Sequence, residues 1–402
     1  MLSQELSFAR LQPERVIVVG GGPAGLRAAE VAAEAGARVR LFEAQRAAGR
    51  KFLIAGRGGL NLTHSEPVEN FPQRYRAEPE LWRALLGAFG PDDLRAWAEA
   101  LEVETFKGTS GRIFPRGQKA AVLLRAWLRR LRERGVEIET GWRWLGLTKS
   151  DDGWQLRFSS DEVEIEVEAK SVVLALGGSS WPETGSDGKW TSPLAAHGVE
   201  MAPFVAANCG WEVAWPASVL ERAEGLPLKN LAVSAGGETV SGELLITHYG
   251  LEGGAVYRLG PLLRAMSAPA LQIDFKPQVS AETLRARAKQ FRQPNEWYRA
   301  WKLSAGAIAL LESAAFSDLE ATIRLVKNFA VHLSVPRPIA EAISSAGGVR
   351  WSELDDRLML RRLPGVFLAG EMIDWEAPTG GYLLQGCFST GTVAGKAAAA
   401  FG

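Results

Sequence analysis

The chain has 402 residues, and 47% of them are hydrophobic, which is enough for two or three domains with buried cores. Its 46 basic and 46 acidic residues balance, which argues against a nucleic-acid-binding protein with a general basic excess and leaves a local basic patch open. Two cysteines without a C-x-x-C pattern and four dispersed histidines predict neither a disulfide framework nor a metal site. The sequence shows no secretory signal and no run of roughly 18 apolar residues, so we expect a cytoplasmic protein without membrane contact. It does not decide the oligomeric state.

The first clear element is a β-turn-α-β unit at residues 16–43. Residues 16–19 are an apolar β-branched run, as a buried parallel strand requires. Residues 26–35 are rich in Ala, Leu and Glu, which favours a helix, and residues 38–42 return as a strand. This order of elements is typical of a nucleotide-binding fold.

The turn of this unit carries the pattern Gly20-x-Gly22-x-x-Gly25. The first glycine permits a tight turn, the second lets the backbone approach a pyrophosphate, and the third allows close helix–strand packing. The helix N-terminus offers N–H groups to the phosphates. Glu43, 18 residues beyond Gly25, is placed to bond an adenosine ribose hydroxyl and disfavours the 2′-phosphate of NADP. FAD or NAD remains, and a plain glycine-rich turn is the alternative. The predicted cofactor-binding residues here are Gly20, Gly22, Pro23, Ala24, Gly25, Glu43 and Ala44.

The rest of the chain alternates between helical and strand-like blocks. The predicted segments are mostly helical residues 80–135 interrupted by a turn or short strand at 111–115, a strand at 171–176, short β-like pieces through 196–275, helices through 281–333, a strand at 366–369 and a helix at 389–400. Because the strand-glycine-helix order returns at the end, we predict a discontinuous nucleotide-binding domain of residues 1–195 and 346–402. Residues 196–280 form a predicted inserted β-rich domain, and residues 281–345 a small helical domain.

Two signals near the C-terminus select FAD. Residues 365–371 end a strand on Gly370-Glu371, similar to the strand whose terminal acid holds the ribityl chain in flavoproteins of the glutathione-reductase type. Gly380 and Gly381 have no side chains, so their backbone can lie against a flat ring. The helix that follows points its dipole at the pyrimidine edge of a flavin. An ordinary strand end and an ordinary turn are the alternatives.

A third signal is the strand at 171–176, which closes on Gly177-Gly178 and resembles a crossover segment of the same superfamily. A simple strand end is the alternative here. Together the three signals favour FAD over NAD. The predicted fold is therefore α/β, with a Rossmann-like FAD-binding domain of the glutathione-reductase type, an inserted β-rich domain and a small helical domain.

Several motifs resemble the signature of the BaiN/RdsA-type NAD(P)/FAD-dependent oxidoreductases. They are Gly49-Arg50-Lys51 with residues 55–64, residues 111–115, residues 242–250, Gly370-Glu371 and residues 379–382. The resemblance runs from residue 15 to the C-terminus and implies a bacterial flavoprotein with the three domains predicted above. Some members of the family it resembles are linked to reduction of steroids or bile acids, and others to reduction of uridine to dihydrouridine in ribosomal RNA.

This chain departs from the usual family pattern at four positions. Gly59 stands where the family has arginine, Leu60 where it has cysteine, and His64 and Leu383 where it has asparagine. These differences indicate a divergent branch.

The resemblance places further residues at the cofactor. Arg50, Lys51, Gly58 and Asn61 are predicted to lie along the pyrophosphate and the flavin, where Lys51 would raise the affinity of the flavin for electrons. A solvated basic pair is the alternative for Arg50 and Lys51.

The predicted catalytic residues are possible proton donors. They are His64, His248 and Tyr382, with Tyr249 and Cys387 as further candidates, and Tyr382 is also a predicted cofactor-binding residue. Structural histidines and a buried inert thiol are the alternatives, and for Cys387 we favour the inert thiol.

No second G-x-G-x-x-G follows a strand, so we expect no dedicated NAD(P)H domain and a transient binding of NADH or NADPH over the flavin. The favoured function is FAD-dependent reduction of an unsaturated bond in a small organic substrate. The alternatives are an RNA-modifying flavoenzyme and a non-catalytic flavin-binding sensor or scaffold.

One predicted helix carries five arginines, which we interpret as a solvated face in preference to an RNA contact; they are Arg125, Arg129, Arg130, Arg132 and Arg134.

Overall fold

The structure is a computed structural model that describes residues 14–56, 58–117, 119–161, 163–314 and 318–401. Arg57, which belongs to the 55–64 motif, lies outside these residues. The chain divides into two compact units. The first unit runs to Val205 and resumes at Ala346, and the second comprises Ala206–Ser345.

Strands dominate the middle of the chain, and helices lie between them and at the C-terminus. In chain order the strands are β1 (Glu14–Val19), β2 (Val39–Glu43), β3 (Thr63–His64), β4 (Thr105–Lys107), β5 (Arg112–Pro115), β6 (Glu137–Thr140), β7 (Arg143–Ser150), β8 (Gly153–Ser160), β9 (Val163–Leu174), β10 (Met201–Ala207), β11 (Trp211–Glu212), β12 (Pro227–Ala235), β13 (Glu238–Thr247), β14 (Gly250–Glu252), β15 (Ala270–Asp274), β16 (Phe329–His332), β17 (Ser344–Val349) and β18 (Val366–Leu368). The α-helices are α1 (Pro23–Glu34), α2 (Arg50–Ala55), α3 (Pro79–Ala88), α4 (Pro91–Glu99), α5 (Ala120–Glu133), α6 (Thr191–Ala195), α7 (Ala217–Ala223), α8 (Gly254–Ala265), α9 (Ala281–Ala288), α10 (Pro294–Ala300), α11 (Ala305–Ser313), α12 (Leu319–Lys327) and α13 (Tyr382–Ala400).

The core of the first unit is a parallel sheet in the order β6-β2-β1-β9-β18. Val16 pairs with Val39 on one side and with Ser171 on the other, and Val366 pairs with Val172. The first half of β9 pairs antiparallel with β8, and β8 in turn pairs antiparallel with β7. The sheet and its helices confirm the predicted Rossmann-like α/β fold. The carboxyl ends of β1, β9 and β18 meet at one edge, where ligands bind in such folds.

The last helix packs directly on the first. A Cβ atom added to Gly391 would lie 2.4 Å from the carbonyl oxygen of Ala24, and one added to Gly395 would lie 2.4 Å from that of Ala28. These two glycines are four residues apart and therefore lie on the same face of α13. They form a seam without side chains at which the backbones of α1 and α13 touch. The seam joins the two ends of the chain into one unit.

Helix α13 begins at Tyr382, so the prediction of a helix from residue 389 was wrong about its start. Gly381, with a φ of 107°, ends the preceding loop, and the helix begins at the next residue. Gly386 lowers the helix propensity of the first two turns. Its backbone is needed for packing, since an added Cβ would lie 2.9 Å from the indole ring of Trp375. Tertiary packing therefore overrides local propensity here.

The arginines of α5 have two different roles. Arg130 and Arg134 form ion pairs with Glu30 of α1, whose side chain is fully buried. These two residues join α5 to α1, so the prediction of one solvated arginine face was wrong for them. The other three arginines of the set are exposed.

The second unit is built on an antiparallel sheet in the order β11-β14-β13-β12-β15-β16. Its core combines residues of this sheet with residues of helices α7 to α12, among them the buried aromatic residues Trp297, Tyr298 and Trp301. The predicted β-rich segment 196–280 and helical segment 281–345 both fall in this unit, apart from residues 196–205.

Helix α8 was not predicted from the sequence, because it lies within the stretch interpreted as short β-like pieces. Gly260 and Pro261 lower its helix propensity. The helix is stabilised by burial of Leu259 and Leu263, which are fully inaccessible to solvent in the core of the second unit. Of the helices that the structure describes, none is long and apolar enough to span a membrane.

Replacing Gly395 with alanine should destabilise the protein, although alanine is the better helix former by about 1 kcal/mol. The methyl group would lie 2.4 Å from the Ala28 oxygen and force the two helices apart, so we expect the free energy of unfolding to fall by about 1–3 kcal/mol. Gly260→Ala in α8 is the matched control, because the nearest atom to its methyl group is the flexible end of Arg264 at 3.5 Å. Chemical denaturation compares the two variants, and a Gly395→Ala protein as stable as the wild type would contradict a tight seam.

Candidate functional site

A cleft opens in the first unit at the edge where β1, β9 and β18 end. It holds about 770 Å³ of empty space, part of which is open to solvent. The predicted cofactor-binding residues that line it are Gly20, Gly22, Pro23, Ala24, Glu43, Ala44, Arg50, Lys51, Gly177, Gly370 and Glu371. The structure therefore brings the N-terminal fingerprint and the C-terminal Gly370-Glu371 segment to one place. The predicted residues that do not line this cleft are Gly25, Gly58, Asn61, Gly178, Gly380, Gly381 and Tyr382.

The three fingerprint glycines have different surroundings. A Cβ atom on Gly20, whose φ is 109°, would lie 2.3 Å from the carbonyl oxygen of Ala175. One on Gly25 would lie 1.9 Å from the carbonyl oxygen of Gly20, so these two glycines are required by packing within the protein. At Gly22, by contrast, no described atom lies within 4 Å of an added Cβ, and the residue lines the cleft. Helix α1 begins there without a capping side chain, so the N–H groups of its first turn suit a phosphate.

Glu43 ends β2 with its carboxylate beside the fingerprint turn. Its Oε2 accepts a hydrogen bond from the N–H of Gly21 at 2.6 Å, and its Oε1 accepts one from the N–H of Gln45 at 2.7 Å. Burial raises the pKa of this carboxyl, against the lowering effect of the two N–H groups and of Arg50. A carboxylate has about four lone-pair sites, so acceptor capacity remains for a ligand hydroxyl in the cleft.

Lys51 of α2 and Glu371, just after β18, meet in another part of the cleft. The Nζ of Lys51 donates to the carbonyl and hydroxyl oxygens of Ser180 at 3.0 and 3.1 Å and lies 3.8 Å from Oε2 of Glu371. Arg50 instead donates to the carbonyl oxygen of Glu183 at 3.2 Å in an exposed contact. The predicted basic pair is therefore divided: Lys51 lies beside Glu371, and the charge of Arg50 acts on Glu43.

Cys387 of α13 also lines the cleft, next to Gly370. A Cβ atom on Gly370 would lie 2.8 Å from the Cβ of Ala24 and 3.8 Å from the Sγ of Cys387. Burial raises the pKa of the Cys387 thiol far above its usual value, and the negative charge of Glu371 raises it further. The thiol is therefore neutral and poorly suited to act as a proton donor.

The loop that contains Gly380 and Gly381 lies against the 55–64 motif. A Cβ atom on Gly381 would lie 2.5 Å from the backbone of Thr63, so a side chain cannot be accommodated there. Within the part of the chain that the structure describes, Oδ1 of Asn61 and Oγ1 of Thr63 are buried and have no hydrogen-bond partner. Buried polar atoms without partners beside a bare backbone fit a site for a ligand with a polar ring edge.

The hydroxyl of Tyr382, at the start of α13, is already engaged. It donates to Oε1 of Glu66 at 2.6 Å, and Glu66 also accepts a hydrogen bond from Nε of Arg74 at 2.9 Å. The ring of Tyr382 stacks on that of His64, with 5.4 Å between the centroids. Burial and the contact with Glu66 raise the pKa of Tyr382 well above its usual value. These contacts favour a positioning role over the predicted role as a proton donor.

Both ring nitrogens of His64 contact the backbone. Nδ1 accepts a hydrogen bond from the N–H of Glu66 at 3.1 Å, and Nε2 lies 3.1 Å from the carbonyl oxygen of Ser110. Nδ1 is therefore an acceptor, which leaves Nε2 to donate to the carbonyl oxygen of Ser110. The geometry supports the structural alternative for His64.

His248 and Tyr249 lie in the second unit, at the turn between β13 and β14. The side chain of His248 is 73% exposed, and its Nδ1 is 3.9 Å from Oε1 of Glu224. Tyr249 donates to Glu252, and the guanidinium of Arg337 lies 4.3 Å from the centroid of its ring. The lining of the first-unit cleft contains neither residue.

Residues 14–397 match the sequence profile of the HI0933-like protein Rossmann domain. The chain belongs to the HI0933-like family. It is similar to the 3-dehydro-bile acid delta(4,6)-reductase of Clostridium scindens, with 28% identity over 96% of this chain and 99% of that protein. It is also similar to the ribosomal RNA dihydrouridine synthase of Escherichia coli, with 24% identity over 93% of this chain and 95% of that protein.

The fold of this HI0933-like protein is similar to that of the 3-ketosteroid-delta4-(5alpha)-dehydrogenase from Rhodococcus jostii. The TM-score is 0.55, with 17% identity and 98% of each chain covered. Together these findings confirm the predicted family, the Rossmann-type FAD-binding fold and the class of protein, a flavin-dependent oxidoreductase.

Sequence reasoning missed several residues around the site of this HI0933-like protein. Thr63 belongs to the recognised 55–64 motif, and Glu66 follows it closely, so the motif was a signal for both. Ser180 follows the Gly177-Gly178 strand end by two residues and was within reach of the same argument. No sequence motif marks Arg74 or the cleft-lining Trp144, because only the tertiary fold brings these residues to the site.

Alanine at Gly22 should leave the folded HI0933-like protein intact and weaken its affinity for FAD. The φ of −78° and ψ of 178° suit any residue, and the methyl group would enter the open cleft where a phosphate is expected. We expect the Kd for FAD to rise at least about tenfold, equivalent to ~1.4 kcal/mol, without change in the Tm of the flavin-free protein.

Gly25→Ala is the matched comparison, because its methyl group would collide with the Gly20 carbonyl and lower the Tm with or without FAD. Titration of the flavin-free proteins with FAD, followed by flavin fluorescence, measures both affinities. A Gly22→Ala protein that binds FAD as tightly as the wild type would contradict the assignment of the phosphate site.

Tyr382→Phe should lower the stability at neutral pH and have less effect in acid. Burial raises the pKa of Glu66, but the hydrogen bonds from Arg74 and Tyr382 outweigh it and hold the pKa below its usual 4.5. A carboxyl with a depressed folded pKa contributes stability above its unfolded pKa and loses that contribution as the pH falls through the folded pKa. We therefore expect a loss of about 1.5–3 kcal/mol at pH 7 that shrinks progressively below about pH 4.

Urea denaturation at several pH values measures this loss. Tyr298→Phe is the control, because the Tyr298 hydroxyl is buried without a hydrogen-bond partner among the described residues. A Tyr382→Phe effect that is constant from pH 7 to strongly acidic pH would exclude Glu66 as the group responsible.

Proposed function

We propose that this protein is an FAD-dependent reductase that transfers a hydride from reduced flavin to an unsaturated bond of a small organic substrate. One observation carries this proposal. The fingerprint turn, Glu43 and Glu371 are far apart in the sequence and line a single cleft at the carboxyl edge of the parallel sheet. Such convergence matches the way FAD extends across a Rossmann-type domain.

Each part of FAD would meet residues of matching chemistry. The open backbone at Gly22 and the first turn of α1 suit the pyrophosphate, and Glu43 suits a hydroxyl of the adenosine ribose. Glu371 suits the hydroxyls of the ribityl chain. The unpartnered polar atoms of the 55–64 motif, beside Gly381, suit the polar edge of the ring system. When bound, the flavin supplies the hydride-transfer chemistry, and the protein positions and shields it.

Lys51 supplies positive charge in the cleft. Its ammonium group is held by two oxygens of Ser180 and lies 3.8 Å from Glu371, which neutralises it in part. A fixed cation beside a group that gains electrons favours the reduced form of that group. Lys51 is therefore our candidate for raising the affinity of the flavin for electrons.

The proton that completes the reduction is assigned to water. The Tyr382 hydroxyl is bonded to Glu66, both nitrogens of His64 contact the backbone, and Cys387 is a buried neutral thiol. These residues fix and enclose the site, and none of them offers a free acidic proton.

We propose NADH or NADPH as the electron donor, bound transiently over the flavin. Within the described residues, the parallel sheet with a dinucleotide fingerprint belongs to the first unit, and the six-stranded sheet of the second unit is antiparallel. The second unit therefore lacks the architecture of a dedicated dinucleotide domain.

Reduction of a base in RNA is a second candidate. In the second unit, burial lowers the pKa of Lys276, and the nearby charges of Arg287 and Lys302 lower it further. Among the described residues, neither Arg287 nor Lys302 forms an ion pair, and Arg287 lines a surface depression with Lys289 and Phe291. Clustered cations beside an aromatic side chain suit a nucleic acid. The similar protein of Escherichia coli is named a ribosomal RNA dihydrouridine synthase.

The decisive experiment is the visible absorption spectrum of the purified protein, followed anaerobically during addition of NADH and then NADPH. We expect flavin bands that are bleached by one of the two nucleotides. The reduced protein is then mixed, separately, with a 3-dehydro-bile acid that contains the delta4 double bond and with ribosomal RNA.

Reoxidation by the small molecule supports the proposed function. Reoxidation by RNA alone, with an affinity that falls steeply as salt rises, supports the second candidate. A colourless protein that cannot be reconstituted with FAD would overturn both.

A further inference from the structure

Arg112 begins β5 beside the loop that contains Gly380 and Gly381. A Cβ atom on Gly380 would lie 3.4 Å from Nε of Arg112, so the guanidinium lies against the bare backbone of this loop. Arg112 is half-buried. Its guanidinium makes no ion pair and no hydrogen bond with any residue that the structure describes. The donors of this partly buried guanidinium therefore remain available to an oxygen atom from outside the chain.

The groups around Arg112 do not compete for its charge. His64 lies directly opposite Arg112 in the β3–β5 pair, and its Nε2 faces the carbonyl oxygen of Ser110. Glu66 is already bonded to Arg74 and to the hydroxyl of Tyr382. The positive charge of Arg112 is therefore available to a ligand at the loop.

We propose that Arg112 binds the substrate oxygen that gains negative charge when the double bond is reduced. By this contact Arg112 selects alkenes that are conjugated to a carbonyl group. The proposal rests on the proposed function, because Arg112 can reach the reacting atoms only if the Gly380-Gly381 loop lies against the flavin.

The reduction of such an alkene explains why a guanidinium is needed. Bound reduced flavin would supply the hydride, that is, the two electrons and the hydrogen of the new C–H bond at the carbon β to the carbonyl. The π electron pair of the C=C bond shifts toward the carbonyl and leaves an enolate, whose charge lies on oxygen. A proton from water then adds to the α-carbon and restores the carbonyl. Donors aimed at an oxygen whose charge develops in the transition state stabilise that state more than the substrate.

4-Nitrophenol tests this assignment without turnover, because its ionised form is a planar oxyanion that resembles an enolate and absorbs visible light. Difference spectra give both its Kd and the fraction that binds as the anion. We expect Arg112→Gln to raise the Kd at least about tenfold with unchanged FAD content, and Arg112→Lys to recover part of the affinity. Arg116→Gln is the matched control, because the Arg116 guanidinium is 72% exposed and pairs with Glu104 at 2.6 Å.

An Arg112→Gln protein that retains FAD and binds the phenolate as tightly as the wild type overturns the proposal, and so does a wild type that binds no phenolate. Loss of FAD from Arg112→Gln would make Arg112 a cofactor-binding residue and overturn its assignment to the substrate.

Failure of the proposed function has a different signature, a wild type that takes up no FAD. Titration of that flavin-free protein still decides the oxyanion site. A tenfold loss of affinity in Arg112→Gln supports the site, and equal affinities overturn it.

Discussion

The direct backbone contact between the first and last helices determines how the first unit is assembled. Because Gly391 and Gly395 have no side chains, α13 lies on the carbonyl oxygens of Ala24 and Ala28 in α1. The phosphate end of the proposed FAD site belongs to α1, and the loop that would meet the flavin ring leads into α13. A wider spacing between these helices would separate the two halves of the site, so the geometry of the cleft depends on this seam.

A buried charge cluster strengthens the same contact. Glu30 is fully buried and pairs with Arg27, Arg130 and Arg134. Arg27 also donates to the hydroxyl of Thr392 in α13 at 2.9 Å. A buried carboxylate is costly unless it is paired and hydrogen-bonded, so displacement of α5 would leave Glu30 without the charges of Arg130 and Arg134. Displacement of α13 would remove the Thr392 acceptor of Arg27. The cluster thus favours one arrangement of three helices.

The sequence predicted those parts of the fold that depend on neighbouring residues. The β-turn-α-β unit follows from a short apolar run, three glycines and a helix-forming segment, and the structure has each element within a few residues of its predicted place. The same reasoning could not predict the hydrogen bonds of the candidate catalytic side chains. The tautomer of His64 depends on the Ser110 carbonyl, and the Tyr382 hydroxyl depends on Glu66, which is 316 residues away. Helix α8 and the start of α13 were missed because burial overrode weak local propensity.

Because the first unit is built from two separate segments of the chain, its folding depends on the order of synthesis. The second unit, Ala206–Ser345, has its own hydrophobic core and is complete when its last residue is synthesised. The cleft, in contrast, needs β1 near the start of the chain together with Gly370 and α13 near its end. On a ribosome, the N-terminal strands therefore lack these partners until Gly370 and α13 have emerged. Uptake of the proposed FAD by the complete cleft then requires that α13 has emerged, and a nascent chain that ends before α13 would lack part of the site.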